Sequence, residues 1–201
     1  KNWKDFQFWL EWALSLTAMI VLPLVAGTIV IAHELMGFVA GKEFFESGSI
    51  LQVLIIATGI IFLANVYGYA IVALGLQKRM IPFYIIAAVI SILLYYWAII
   101  QFGVLGAAWT TVMIELFILS AGFLIVFAST KKKIRVPYLT KYIISSIIMY
   151  LFLLTTHNVI HIIVSVAGGT CVYFLVLKCI GGLNILKIRE ISILKKVNNS
   201  G

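Results

Sequence analysis

Residues 91–115, SILLYYWAIIQFGVLGAAWTTVMIE, decide how this chain folds. An apolar helix leads into Gly103 and Gly106, and a second apolar helix opens with Ala107, Ala108, Thr110 and Thr111. No charged residue interrupts the stretch before Glu115. Two glycines three apart suit a chain that reverses over a few residues, because glycine accepts positive φ. Small residues just past the turn let two helices approach closely, which is how helices pack in lipid. The reading is a helical hairpin that lies in a membrane.

The rest of the chain has the same character. Hydrophobic residues make up 63% of its 201 positions and charged residues 11%. A soluble domain is about half apolar and about a quarter charged. Too few polar side chains remain to cover a soluble globule, so lipid is the expected solvent for most of the surface. The net charge of +8 does not point to nucleic acid. The basic residues sit in short clusters between apolar runs, the placement that fixes membrane topology.

Six spans are expected, at about 12–32, 50–74, 81–100, 107–128, 140–156 and 159–178. Trp3, Trp9 and Trp12 form an interfacial lead-in. Pro23 in the first span removes a backbone bond, and Gly27 follows one turn later, a pair that suits a hinge. His33 to Ser49 reads as a loop, with Ser47 or Ser49 capping the second span. Gly75 to Arg79 is a short loop, and Pro82 opens the third span. Ser129 to Lys141 is the most basic loop. No formal charge occurs between Tyr142 and Leu177, too long a run for one helix across a ~30 Å core. It therefore breaks, at Thr155–Asn158. Residues 181–201 read as a basic amphipathic tail, with Ile185, Ile188, Ile191 and Leu194 along one face. Cys171 and Cys179 read as small packing residues. The chain opens on Lys1 rather than methionine, as a segment of a longer protein would.

Charge assigns the sides. With six spans, the N-terminal segment, the Lys78 loop, the Lys131 loop and the tail share one side and carry every Lys and Arg except Lys42. Lys42 is outweighed by Glu34, Glu43 and Glu46 in its own loop. The positive-inside rule then puts both termini in the cytoplasm. An odd number of spans would place the basic tail opposite the basic loops.

No catalytic set stands out. His157 and His161 have a metal-compatible i, i+4 spacing but no carboxylate or cysteine beside them, and read as interfacial histidines. There is no phosphate loop or nucleophile elbow, so no enzyme and no cofactor are expected. Glu115 is different. An ionisable residue near mid-span is costly and by default marks a functional site or a water-lined cavity. Asn65, Gln52 and Tyr69 are the polar residues of the second span that could share such a cavity.

The motifs in order then resemble a known family. A span with a central proline, LTAMIVLPLVAG, precedes Gly41-Lys42-Glu43-Phe44-Phe45-Glu46-Ser47. A span beginning ILQVL ends in Ala73-Leu74-Gly75-Leu76-Gln77-Lys78, and FGVLGAAWTTVMIE follows one span later. Over residues 10–130 this resembles the C-terminal half of polysaccharide biosynthesis flippases, lipid-linked oligosaccharide translocases of the multidrug/oligosaccharidyl-lipid/polysaccharide exporter superfamily. Gly41, Phe44, Ser47, Gly75, Lys78, Gly103, Gly106, Ala107 and Ala108 carry the likeness. It implies an all-α, six-span lobe of a two-lobe transporter in a bacterial cytoplasmic membrane, whose N-terminal lobe lies elsewhere. It also implies a lipid-linked, undecaprenyl-type glycan as substrate, moved by alternating access with possible H+ or Na+ coupling, and no nucleic-acid partner. A multidrug/cation antiporter of the same superfamily, a membrane glycan enzyme and a structural subunit are the alternatives.

Overall fold

The structure, a computed structural model, describes residues 3–131, 134–156 and 161–183, and its regular elements there are all helical. In order they are α1 (Trp3–Val39), a 3-10 turn (Lys42–Ser47), α2 (Gly48–Leu74), α3 (Gln77–Thr130), α4 (Leu139–Thr156) and α5 (Ile162–Cys179). All five α-helical segments are long and apolar enough to cross a membrane.

α3 cannot be one straight rod. Its 54 residues would reach roughly 80 Å at 1.5 Å per residue, against a bilayer core of ~30 Å. Gly103 breaks it, with φ 60° and ψ −147°, values no helix holds. The pairs that straddle Gly103 show that the chain turns back on itself there. The Tyr95 hydroxyl lies 2.9 Å from Thr111 Oγ1, and the rings of Phe83 and Phe117 are 6.2 Å apart. Thr111 donates its own proton to the Ala107 carbonyl at 3.1 Å, so Tyr95 is the donor between the arms. Gly106 sits at the closest approach, where a Cβ would run into the Ala98 carbonyl. The small residue there is a steric requirement.

α1 is the hub. It packs against α2, α4 and α5, while α2 packs against α3 and α4 against α5. Three cores follow. Leu10 and Leu14 of α1 join Tyr67, Ile71 and Leu74 of α2 with Met80 and Val126 from the two arms of α3. Ala18 and Met19 join Tyr142, Met149 and Leu153 of α4 and Tyr173 of α5. Val53 and Ala57 of α2 meet Ala108 and Val112. The outer face of the first arm of α3 remains exposed and apolar, through Ile85, Val89, Ile92, Leu93 and Tyr96. Such a face suits contact with lipid.

The helices alternate in direction, so the basic segments gather at one end. The Arg135 amide donates to Glu11 Oε1 at 3.0 Å, and Lys141 Nζ to the Gly181 carbonyl at 3.3 Å. At the opposite end the His33 ring lies 2.9 Å from the Phe45 carbonyl, and Phe38 packs edge-on against His161.

Several boundaries differ from the sequence reading. The segment 33–49 is not one loop: α1 continues to Val39 and the break waits for Gly41, at φ 106°. Residues 33–39 hold no proline, and helix propagation costs little once a long helix exists. Ser47 precedes α2 but makes no capping bond through its side chain. The start of α2 is fixed instead by close packing, because a Cβ at Gly48 would lie 2.5 Å from the Cα of His33. The loop after α2 is two residues, not five. Gly75 is left-handed (φ 73°), its amide donates to Val72 and the Leu76 amide to Ile71, each at 3.0 Å. This paired closure ends one helix and lets the next begin at once. Pro82 therefore lies inside α3 rather than at its opening. α4 ends at Thr156 and α5 begins at Ile162, and residues 157–160 between them, like Lys132, Lys133 and the expected tail at 184–201, lie outside the described residues. Cys171 and Cys179 are exposed rather than packed.

Pro23 leaves α1 unbroken in the helix assignment, but it has no N–H to give the carbonyl of Met19, four residues back. Tyr173 of α5 supplies the missing donor: its hydroxyl bonds the Met19 carbonyl at 2.7 Å, fully buried. Tyr173→Phe should therefore destabilise the fold by about 1–2 kcal/mol, measured by unfolding in detergent. Pro23→Ala returns a backbone donor to Met19, so the same tyrosine change in that background should be nearly silent. Equal losses in both backgrounds would separate the two residues energetically.

Candidate functional site

The reversal at Gly103 brings Ser91 and Glu115 to the same level, since they are equidistant from the turn in sequence. At 1.5 Å per residue that level is roughly 18 Å from the turn, near the middle of each arm. α2 lies across both arms at this depth. The result is a groove of about 380 Å³ lined by Asn65 and Gly68 of α2, Tyr84 and Ser91 of the first arm, and Glu115 and Ile118 of the second. A Cβ at Gly68 would meet nothing within 4 Å, so this glycine widens the groove rather than permitting a contact.

Glu115 is half-buried, and its carboxylate makes no hydrogen bond or ion pair with a described residue. Asn65 is exposed in the groove, with its amide likewise uncommitted. The Ser91 hydroxyl is bonded to the Ala88 carbonyl of its own helix at 2.9 Å and retains acceptor capacity. Carboxylate, amide, phenol and hydroxyl thus converge on one recess. Such a set can exchange a proton, hold a small cation by oxygen, or bind a polar group of a larger molecule. No cluster of three or more His, Cys, Asp and Glu exists among the described residues.

Asn65 and Glu115 share the groove, and the other two expected cavity residues do not. Gln52 donates from Nε2 to the Ile29 carbonyl at 2.8 Å, which ties α2 to α1. Tyr69 points away, 77% exposed. Pro23 and Gly27 line a different, apolar cleft of about 260 Å³ between α1, α4 and α5. Gly27 is closed in there by the Met149 Cε, which would stand 3.3 Å from a Cβ. Of the residues that carried the resemblance, Gly41, Gly75 and Gly103 have positive φ, Phe44 and Lys78 are exposed, and Gly106 and Ala108 are buried. Ala107 is half-buried and accepts the Thr111 hydroxyl at its carbonyl. His161 accepts the Ile163 amide at 3.4 Å, in the manner of a helix cap; His157 lies outside the described residues.

Tyr84 and Ser91 were not singled out from sequence. For Ser91 the signal was geometric: once the turn is placed at Gly103, the residue level with Glu115 is found by counting equally backward, whereas nothing in the sequence marked Tyr84.

No protein-family model, curated protein or solved structure matches the chain.

A carboxylate without a fixed partner in this setting lowers stability, a pattern found where function retains a residue. Glu115→Leu should raise the resistance of the protein to thermal or denaturant unfolding, by about 1–2 kcal/mol. A loss of stability would instead make Glu115 a structural residue.

Proposed function

We propose that this chain is the C-terminal lobe of a transporter that flips a lipid-linked glycan of the undecaprenyl type across a bacterial cytoplasmic membrane. In this reading the two arms of α3 each cross the bilayer, giving six crossings with both ends cytoplasmic. The observation that carries the proposal is Glu115, without a partner among the described residues, at mid-depth in a groove with Asn65. Support also comes from the concentration of Arg135, Lys141 and Lys78, in the first turn of α3, at one end, opposite the Glu34, Glu43 and Glu46 segment. That asymmetry fits a cytoplasmic basic face.

Transport by alternating access needs two bodies that rock around a central path. This lobe would act with an N-terminal lobe, with the membrane lipid and with the glycan carrier as partners. Glu115 would take up and release a proton, or meet a Na+ ion, as the groove opens first to one side and then to the other. No covalent chemistry and no resident cofactor enter the scheme.

A cation/drug antiporter is the second reading. The observation favouring it is the exposed Tyr84 ring in the same recess as the carboxylate, a pairing suited to an organic cation. The test is transport by the complete transporter carrying Glu115→Gln, followed across pH. The expected result is a large loss of rate and a flattened pH profile, with surface glycan export as the readout that falls. An unchanged rate and profile would remove Glu115 from the mechanism. Loss of drug efflux with glycan export intact would move the assignment to the antiporter.

A further inference from the structure

A second cavity lies well away from the Glu115 groove. α4 does not pack along α3, although the two are consecutive. Between them, floored by α1 and α2, is an apolar cleft of about 630 Å³. Its walls include Leu14, Ala18 and Leu22 of α1, Leu63 of α2, Leu124 of α3 and Leu139 of α4. Its volume is that of a ligand site rather than a packing defect. It is open at the side, where Phe123 and Leu124 are exposed.

The cleft runs lengthwise. From Leu14 to Leu22 it follows α1 for roughly 12 Å, most of the ~15 Å depth of one leaflet. Its upper edge is Val136, in the segment that joins α3 to α4, and Leu139, the first residue of α4. That edge lies between Arg135, which is exposed, and Lys141, which is held over the Tyr138 ring at 4.9 Å. Lys131, also exposed, caps the C-terminal end of α3, four residues before Arg135 in the chain. Glu11, the acid hydrogen-bonded to this segment, accepts the Arg135 amide at 3.0 Å and the Gln7 amide at 2.9 Å. An apolar channel of leaflet depth under a basic rim is complementary to one class of molecule.

We propose that this cleft is a binding site for an anionic membrane phospholipid. One acyl chain lies along α1 between α3 and α4, and the phosphate headgroup meets Arg135 and Lys131. The chain contributes apolar burial, and the rim selects charge. The lipid would also hold together two helices that make little contact of their own. The site stands on the geometry of this bundle and does not depend on which substrate is transported.

The test uses the full chain in nanodiscs of equal phosphatidylglycerol and phosphatidylcholine, released into native mass spectrometry. The protein should retain phosphatidylglycerol in preference to phosphatidylcholine. Ser120→Trp, an exposed position on the cleft wall, should reduce retention of both lipids by about tenfold, the effect of losing one well-buried chain segment. Thr170→Trp, an exposed position on the separate α1–α4–α5 cleft, should change nothing. Arg135→Gln should cut the preference for phosphatidylglycerol by about fivefold, as expected for one basic residue at the surface. It should leave chain retention in place, and because Arg135 is exposed it provides a test even if Ser120→Trp folds poorly. Equal retention of the two lipids by the unaltered protein, or equal losses in Ser120→Trp and Thr170→Trp, would overturn the proposal. So would the absence of any retained lipid, the result expected if protein covers the cleft.

Discussion

A backbone carbonyl in hydrocarbon has no water to fall back on, and that constraint shapes the fold from one helix outward. α1 meets it most openly. Pro23 deprives the Met19 carbonyl of its helical donor, and the Tyr173 hydroxyl of α5 replaces it at 2.7 Å. Two similar bonds hold α1 elsewhere. Gln52 of α2 donates to the Ile29 carbonyl, and Ser15 of α1 donates to the Pro137 carbonyl, between α3 and α4, at 3.2 Å. Each joins a side chain on one element to a carbonyl on another. In an apolar core a handful of such bonds specifies which faces meet, while the many leucines and isoleucines fit several arrangements almost equally well.

The same constraint explains where the chain departs from helix. Gly75 closes α2 with paired backbone bonds before α3 begins. Gly103 reverses α3, and beside it Gly106 gives up its side chain so that the two arms can touch. The arms then carry Ser91 and Glu115 to one level, and α2 completes the recess with Asn65. Among the buried and half-buried hydroxyls of the helices, Thr110, Ser145 and Thr130 bond the carbonyls of Gly106, Lys141 and Val126, while those of Ser129, Tyr142 and Ser146 make no hydrogen bond with a described residue. Glu115 differs from all of these in being an ionisable carboxyl. That carboxyl is what ties the groove to transport in the proposed function.

Much of this was legible in the chain itself. Composition and uninterrupted apolar runs indicate helices of spanning length, and Gly103 with Gly106 marks the reversal because few residues accept its backbone. Asn65 and Glu115 could be named together as cavity candidates because both are polar residues well inside apolar spans, the second and the fourth, and the structure places both in one groove. What escaped was set by contacts between distant segments. The extension of α1 through residues 33–39 depends on packing against the start of α2 at Gly48, which periodicity does not encode. Gln52 reads as a cavity residue until the Ile29 carbonyl is found within its reach. Tyr173 reads as one more aromatic of an apolar helix until Pro23, 150 positions earlier, leaves a carbonyl for it. The separation of α3 from α4 is likewise a property of the assembled bundle.

The central claim is the alternation of the helices, with α3 crossing twice. Single-cysteine variants at Lys42, Gln101, Lys131 and Lys178, with Cys171 and Cys179 replaced by serine, test it through a membrane-impermeant thiol reagent on intact cells. The account predicts that Lys42→Cys and Gln101→Cys are labelled from outside, and that Lys131→Cys and Lys178→Cys are labelled only after the membrane is opened. Labelling at position 101 on the side opposite to position 42, or protection of position 101 from both sides, would mean that α3 does not turn back at Gly103, and the groove around Glu115 would not exist as described.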